Sequence, residues 1–271
     1  AGLSVDYRLR SSGVESTQTQ RVLAPAALRD QRANEAAQAN RKRLLVRVGA
    51  VVAVVAALVA GLAVGAYFNS RPAESASGQV VIAATGPANS TSDGAVRIGK
   101  ADAPVTVSIF TDFMCPYCKT FEEANAEMLS ALLQSGKAKV DIYPFTFLDG
   151  ASQGTRYSTR SANAFATIAN ANADQAWSFY QLLFAHQPDE GTTGLSDAQL
   201  AQLGEQAGAS KEVVASFSKL AYRDWTDEVT RQWFPARVKG TPTVKINGVV
   251  FEGDPHTEGP LAEAIQKALV G

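Results

Sequence analysis

Hydrophobic and polar positions divide the 271-residue chain into four stretches. Residues 1–47 are polar and rich in Ala, Arg and Gln, with only a thin apolar face between residues 24 and 43. Val48 to Phe68 is then apolar on every face for 21 residues, without one charge. At 1.5 Å per residue such a helix reaches across a hydrocarbon core of about 30 Å. A cleaved signal peptide has a shorter apolar core, about 7–15 residues, behind a short basic head. Here the apolar run begins 47 residues in, so a signal-anchor transmembrane helix is expected over 48–68. Residues 69–96 are rich in Ser, Ala, Gly, Pro and Thr and read as a tether. Within them QVVIAA (79–84) is a short strand or a segment hugging the surface. Residues 97–271 are long enough for one well-packed domain.

The pattern inside that domain alternates between strand and helical periods. Val105 to Phe110 (VTVSIF) is β-branched and apolar, as a buried strand is. From Cys118 to about Gln134, apolar positions 121, 124, 128, 129, 132 and 133 fall near one helical face. Lys139 to Phe147 (KVDIYPFTF) alternates as a second strand, with Pro144 weakening its centre or marking an edge. Helical spacing then runs through Ala162–Ala173, through Trp177–Phe184, past a capping box at Ser196 and Gln199, and from Val213 to about Phe234. Two apolar runs around Asn247-Gly248 (TVKINGVVF, 243–251) predict a hairpin, and Leu261–Val270 a closing helix. The order is strand, helix, strand, a helical insert over about 155–235, hairpin, helix. The expected class is α/β.

Charge gives the membrane segment a direction. Residues 1–47 carry nine Lys or Arg against four Asp or Glu, a net of +5, whereas residues 48–271 carry a net of −6. Arg41, Lys42, Arg43 and Arg47 sit just before the span, so residues 1–47 are expected in the cytoplasm and the C-terminal domain outside. The whole chain, at −1, offers no general case for nucleic-acid binding. Two cysteines, Cys115 and Cys118, are too few for a disulfide framework. With only His186 and His256 beside them, 70 residues apart, they do not make a zinc site, and no metal is expected. Both histidines read as surface or structural residues, and Trp177, Trp225 and Trp233 as core or groove aromatics.

The chemistry-bearing stretch is Cys115-Pro116-Tyr117-Cys118, directly after a strand and opening a helix. A helix N-terminus offers free backbone N–H groups and the positive end of the dipole, both of which favour a thiolate at Cys115. Cys118 lies one turn further in, more buried, and close enough to attack a mixed disulfide at Cys115. Pro116 suits the first turn, where its missing N–H is not needed. Gly240-Thr241-Pro242-Thr243 stands just before the hairpin, and Pro242 is a candidate cis-proline set against the dithiol. Phe113 and Tyr117 flank the cysteines as an apolar rim for a substrate.

Phe113-Met114-Cys115-Pro116-Tyr117-Cys118, the helical insert and Gly240-Thr241-Pro242-Thr243 together resemble the DsbA-like branch of the thioredoxin superfamily. Trp177 to Gln187 (WSFYQLLFAHQ) is similar to that branch's insert helix. Arg97 to Pro104 (RIGKADAP) is similar to its lead-in to the first strand. The resemblance spans residues 97–271. It implies a thioredoxin fold with an α-helical insert, here preceded by one transmembrane helix. It implies a bacterial, membrane-anchored thiol–disulfide oxidoreductase acting on exported protein thiols and needing no organic or metal cofactor beyond a Cys115–Cys118 disulfide. It also implies reoxidation by a quinone-linked membrane partner of the DsbB or VKOR type. In its terms Cys115 is the nucleophile and Cys118 the resolving thiol. Pro242 is the cis-proline, Thr241 the substrate-contacting residue before it, and Pro116 and Tyr117 the pair that tunes Cys115.

One departure stands out. Many members carry a buried Glu or Asp six residues before the first cysteine, to move a proton for the inner thiol; that position is Ile109 here. Asp112, three residues before Cys115, is the candidate substitute. Two further readings stay open at this level. The domain is an accessory or assembly subunit of a membrane complex, held by the span and the basic tail, or it is a dedicated disulfide reductase or isomerase.

Overall fold

The computed structural model describes residues 79–270. The expected cytoplasmic tail, the span at 48–68 and the first part of the tether lie outside the described residues. Among the described residues no helix is long and apolar enough to cross a membrane.

A five-stranded sheet forms the centre, in the order β1-β3-β2-β4-β5. The strands are β1 (Val96–Ile98), β2 (Val105–Asp112), β3 (Ala138–Phe145), β4 (Thr243–Ile246) and β5 (Val249–Val250). β2 and β3 run parallel, with Val107 opposite Val140 and Ile109 opposite Ile142; the other pairs are antiparallel. The parallel pair is joined by helix α1 (Pro116–Ser135), which ends at Gly136 in the left-handed conformation. Five helices then separate β3 from β4: α2 (Tyr157–Ala171), α3 (Ala173–Ala185), α4 (Asp197–Gln206), α5 (Lys211–Ala215) and α6 (Arg223–Trp233). Helix α7 (Pro260–Val270) closes the chain's described part.

Alternation along β2 and β3 feeds two cores. Phe110 and Tyr143 share one face, where they stack at 4.2 Å and pack under Trp233 of α6. Thr111, Ile109, Val140 and Ile142 point to the other face, which α1 and α3 cover. The second core is aromatic: Tyr180 meets Phe113 and Phe184 edge to face, Phe113 packs tilted on Phe165 and Phe184, and all are buried.

Several local expectations correspond to elements, and several need correction. Asn247 and Gly248 both take positive φ, 50° and 85°, as a two-residue hairpin turn demands. Ser196 and Gln199 form the reciprocal capping box. The helix at the dithiol starts at Pro116, with Cys115 as its N-cap, rather than at Cys118. The segment 213–234 is not one helix. It breaks after α5 into a 3-10 turn (Phe217–Lys219) and restarts at Arg223, with Leu220 at φ 48°. Pro144 lies in an interior strand but at a position open on one side. β1 begins opposite Ile142, so position 144 pairs only with Thr111 of β2 and is a local edge. Of the two readings of residues 79–84, the strand does not form and the surface-hugging segment does, with Ile82 N–H on Ser92 O and the N–H groups of Ala83 and Ala84 on the Glu228 carboxylate at 3.0 and 2.8 Å. The short strand β1 falls within the lead-in, and Arg97 ties it to β3 through a bidentate pair with Asp141.

Candidate active site

The dithiol sits where β2 hands over to α1. The Asp112 carbonyl receives Cys115 N–H at 3.0 Å, and the Cys115 carbonyl receives Cys118 N–H at 3.0 Å. This tight turn places both sulfurs at the helix N-terminus. Both thiols are free; Cys115 is 5% exposed and Cys118 fully buried.

Their chemistry diverges for identifiable reasons. The Cys115 thiol is drawn down to about 6, first by the Cys118 side chain, then by the Thr241 side chain and the N–H groups of Cys118 and Tyr117, all against the cost of burial. Burial pushes the Cys118 thiol well above its ordinary value, and the neighbouring Cys115 sulfur adds to that rise. One sulfur is thus held ready as a thiolate and the other as a thiol.

The Thr241–Pro242 peptide is cis, and the Thr241 carbonyl lies 3.4 Å from Cys115 Sγ. The strand entry is therefore in contact with the dithiol, although 126 residues separate them. Pro116 occupies the first helical position. Tyr117 is 67% exposed beside the sulfur, as a rim residue must be. Phe113 is not on the rim: its side chain is fully buried among Phe165, Tyr180 and Phe184. The correction has a simple cause, since residue 113 continues the strand's inward alternation before the turn and the aromatic core is there to receive it.

Asp112 is fully buried and fully used. Its Oδ1 accepts Ser158 Oγ at 2.6 Å and Met114 N–H at 2.9 Å, and its Oδ2 accepts Leu148 N–H at 3.1 Å. Burial raises this carboxyl to about 7 despite those bonds, and the Cys115 sulfur raises it further. Asp112 thus holds the approach to the first cysteine. Ile109 is buried and apolar.

Five residues at the site carried no functional reading in the sequence. Gln187, at the end of α3, donates to the carbonyls of Phe113 and Cys115 at 3.1 and 2.9 Å and fixes the turn from outside. His256 packs its ring edge to face with Tyr117 at 5.9 Å, and Asn125 holds the His256 loop by donating to Pro255 O at 2.8 Å. Glu122 and Tyr180 are buried close to Cys118. Glu122 was detectable: positions 118, 122, 125 and 129 form one helical stripe, and a carboxylate within it is out of place. Among the described residues no cluster of His, Cys, Asp and Glu could hold a metal ion.

Several known proteins are similar to this chain. The chain is 32% identical over 124 residues to the serine/threonine-protein kinase PknE of Mycobacterium tuberculosis, a match covering 44% of this chain and 22% of that kinase. The chain thus spans about a fifth of that relative's length. It is 26% identical over 176 residues to disulfide bond formation protein D of Bacillus subtilis, covering 64% of this chain and 77% of that protein. Among solved structures, reduced DsbA from Mycobacterium tuberculosis superposes with a TM-score of 0.56 at 26% identity, covering 66% of this chain and 93% of that one. The reduced disulfide bond oxidoreductase DsbG of the same organism gives 0.57 at 27%, with 65% and 88% covered. The thioredoxin family model Thioredoxin_4 matches residues 91–267, more than half of the chain. The fold is the thioredoxin fold with a DsbA-like helical insert, and the chain belongs to the thioredoxin family.

Proposed function

We propose that the protein is a thiol–disulfide oxidoreductase that gives its Cys115–Cys118 disulfide to protein thiols outside the cell membrane. The observation that carries this reading is the asymmetry of the dithiol. Cys115 is drawn toward the thiolate by the Cys118 and Thr241 side chains and the N–H groups of the turn, with the Thr241 carbonyl 3.4 Å from its sulfur, and Cys118 is a buried thiol behind it. A substrate thiolate attacks Cys115 Sγ, the Cys115–Cys118 bond breaks, and Cys118 leaves and takes up a proton. A second substrate thiolate then attacks the substrate sulfur of the mixed disulfide. Cys115 departs as a thiolate, and the substrate holds a new disulfide. A low-pKa thiolate leaves readily, which favours donation over reduction. The electrons left on the dithiol pass to a quinone-linked membrane partner of the DsbB or VKOR type.

Thr241 and Pro242 offer backbone to an extended substrate segment, and Tyr117 lines the approach. Pro116 presets the first turn. No organic or metal cofactor is required. The span at 48–68 anchors the domain on the outer side, and the basic tail lies inside. Support for the substrate class comes from the resemblance to disulfide bond formation protein D.

The test is a trap. In Cys118→Ala, expressed in the native host, Cys115 has no resolving partner and accumulates substrates as mixed disulfides, seen as ladders on a non-reducing gel. Loss of the ladders in Cys115→Ser confirms the attacking sulfur. An empty lane for Cys118→Ala, with Cys115 still open to alkylation, favours a non-enzymatic subunit.

A further inference from the structure

On the sheet face opposite α1, Trp233 of α6 packs over Phe110 and Tyr143. The next row of side chains, one pleat further from the dithiol, is polar. Register lays it across four strands as Arg97 of β1, Asp141 of β3, Ser108 of β2 and Lys245 of β4. Parallel strands are ordinarily apolar on both faces, so a charged row across β2 and β3 calls for a use. Ser108, Asp141 and Lys245 line a groove of about 510 Å³ together with Thr106 and the turn residue Asn247. An adjoining cavity of about 1190 Å³ shares Asp93, Asp141, Trp233 and Lys245 with it.

Acceptors and donors in this groove are in opposite condition. The acceptors are taken. Both Asp141 oxygens hold Arg97, at 2.8 and 2.7 Å. Asp93 accepts the Tyr143 hydroxyl at 2.8 Å on Oδ2 and the Thr91 hydroxyl on Oδ1. The donors are vacant. Ser108 is only 8% exposed, yet its hydroxyl makes no hydrogen bond among the described residues. Lys245 Nζ, its cross-strand neighbour, has neither a hydrogen bond nor an ion pair among them. It rests on two rings, 5.1 Å from the Phe110 centroid and 4.8 Å from that of Trp233. Burial pulls this ammonium below its ordinary value, as for a cation drawn partly out of water without an anion. Asn247 commits its Oδ1 to Thr106 N–H at 2.8 Å, which leaves its amide hydrogens and the Thr106 hydroxyl unspent. Buried polar groups without partners are rare.

We propose that this groove binds the carboxylate of a small organic acid, with Lys245 and Ser108 as its principal donors. A ligand that completes the groove must accept hydrogen bonds, because only donors are left. Charge narrows the class. The Arg97–Asp141 pair cancels, and Lys245 and Arg237 stand against Asp93, which leaves one positive charge across the two cavities. That balance suits a monoanion better than a phosphate dianion. A carboxylate offers about four lone-pair sites, which matches one ammonium, two hydroxyls and one amide. The adjoining cavity gives room for an acid larger than acetate. The site lies across the sheet from α1, so it stands whether or not the exchange reaction proposed above does.

The experiment is calorimetric titration of the full-length protein with sodium benzoate. Benzamide, the same shape without the charge, is the control. Benzoate is expected to bind at least about tenfold more tightly than benzamide. Lys245→Met keeps an aliphatic stem on the two rings and should weaken benzoate on the order of 30-fold, and Lys245→Arg should recover most of that loss. Ser108→Ala should weaken it about tenfold. Alkylation of Cys115 by uncharged iodoacetamide should keep its wild-type rate in all three variants, which shows the domain intact. No heat from benzoate up to about 20 mM overturns the inference. So does wild-type affinity in both Lys245→Met and Ser108→Ala, or benzamide binding as tightly as benzoate. Preference for inorganic phosphate or for a tetraglutamate peptide over benzoate overturns the assignment to a small monocarboxylate.

Discussion

Single side chains set the redox character of the site. The Thr241 hydroxyl and carbonyl both address Cys115, so Thr241→Val, which removes only the hydroxyl, should raise the pH inflection of Cys115 alkylation by about one pH unit, from near 6. Iodoacetamide rates across pH 4–9 give the answer directly. The two buried carboxyls act on stability with the opposite sign to Cys115. Their values, about 7 for Asp112 and about 8 for Glu122, lie above the ordinary 3.8 and 4.5. Their contribution is full below those ordinary values and is lost as pH rises through 7 and 8. Cys115, held low, contributes fully above its ordinary 9.0 and loses that contribution as pH falls through 6. The melting temperature of reduced Glu122→Gln relative to wild type should therefore climb between pH 5 and pH 8. The cysteines, Thr241 and Pro242 were legible as a site because a CxxC at a strand–helix junction carries its chemistry locally. The burial of Tyr180 close to Cys118 was not, since Tyr180 comes from a helix some 60 residues away, and no local pattern announces that meeting. Phe113 misled for the converse reason: an aromatic beside a reactive cysteine reads the same whether its ring points out or in.

Elements hold these residues in place, and here the sequence spoke unevenly. The hairpin and the capping box were plain because their turn chemistry is local. The break at Leu220 was not. Val214, Phe217, Trp225, Val229 and Trp233 are all buried and keep an approximately helical spacing across three separate pieces. No Pro or Gly marks the interruption. β1 was missed because three residues in a polar lead-in show no period. The start of α2 is the most exacting junction, since it brings Ser158 to Asp112. Gly194 packs there at φ 71°, and a Cβ would overlap the Tyr157 ring. Gly194→Ala should cost about 3 kcal/mol in urea unfolding. It should also weaken the hold on Asp112, which would appear as faster proteolysis near residue 149.

At the scale of the whole molecule, the thioredoxin domain and its insert account for the described residues, while the proposed anchor lies upstream of them. The anchored reading predicts that the full chain stays in the membrane pellet after alkaline carbonate extraction, and that deleting residues 48–68 releases it. Protease added to intact spheroplasts should remove the C-terminal domain and spare residues 1–47. The clamp of Ala83 and Ala84 on Glu228 acquires a meaning at this scale. α6, which carries Glu228, packs on β3 and α2 on the Trp233 side of the sheet, whereas α1 packs on the opposite side. In the anchored protein proposed above, a pull from the N-terminal side meets a carboxylate and two amides on the face opposite α1 before it meets the dithiol.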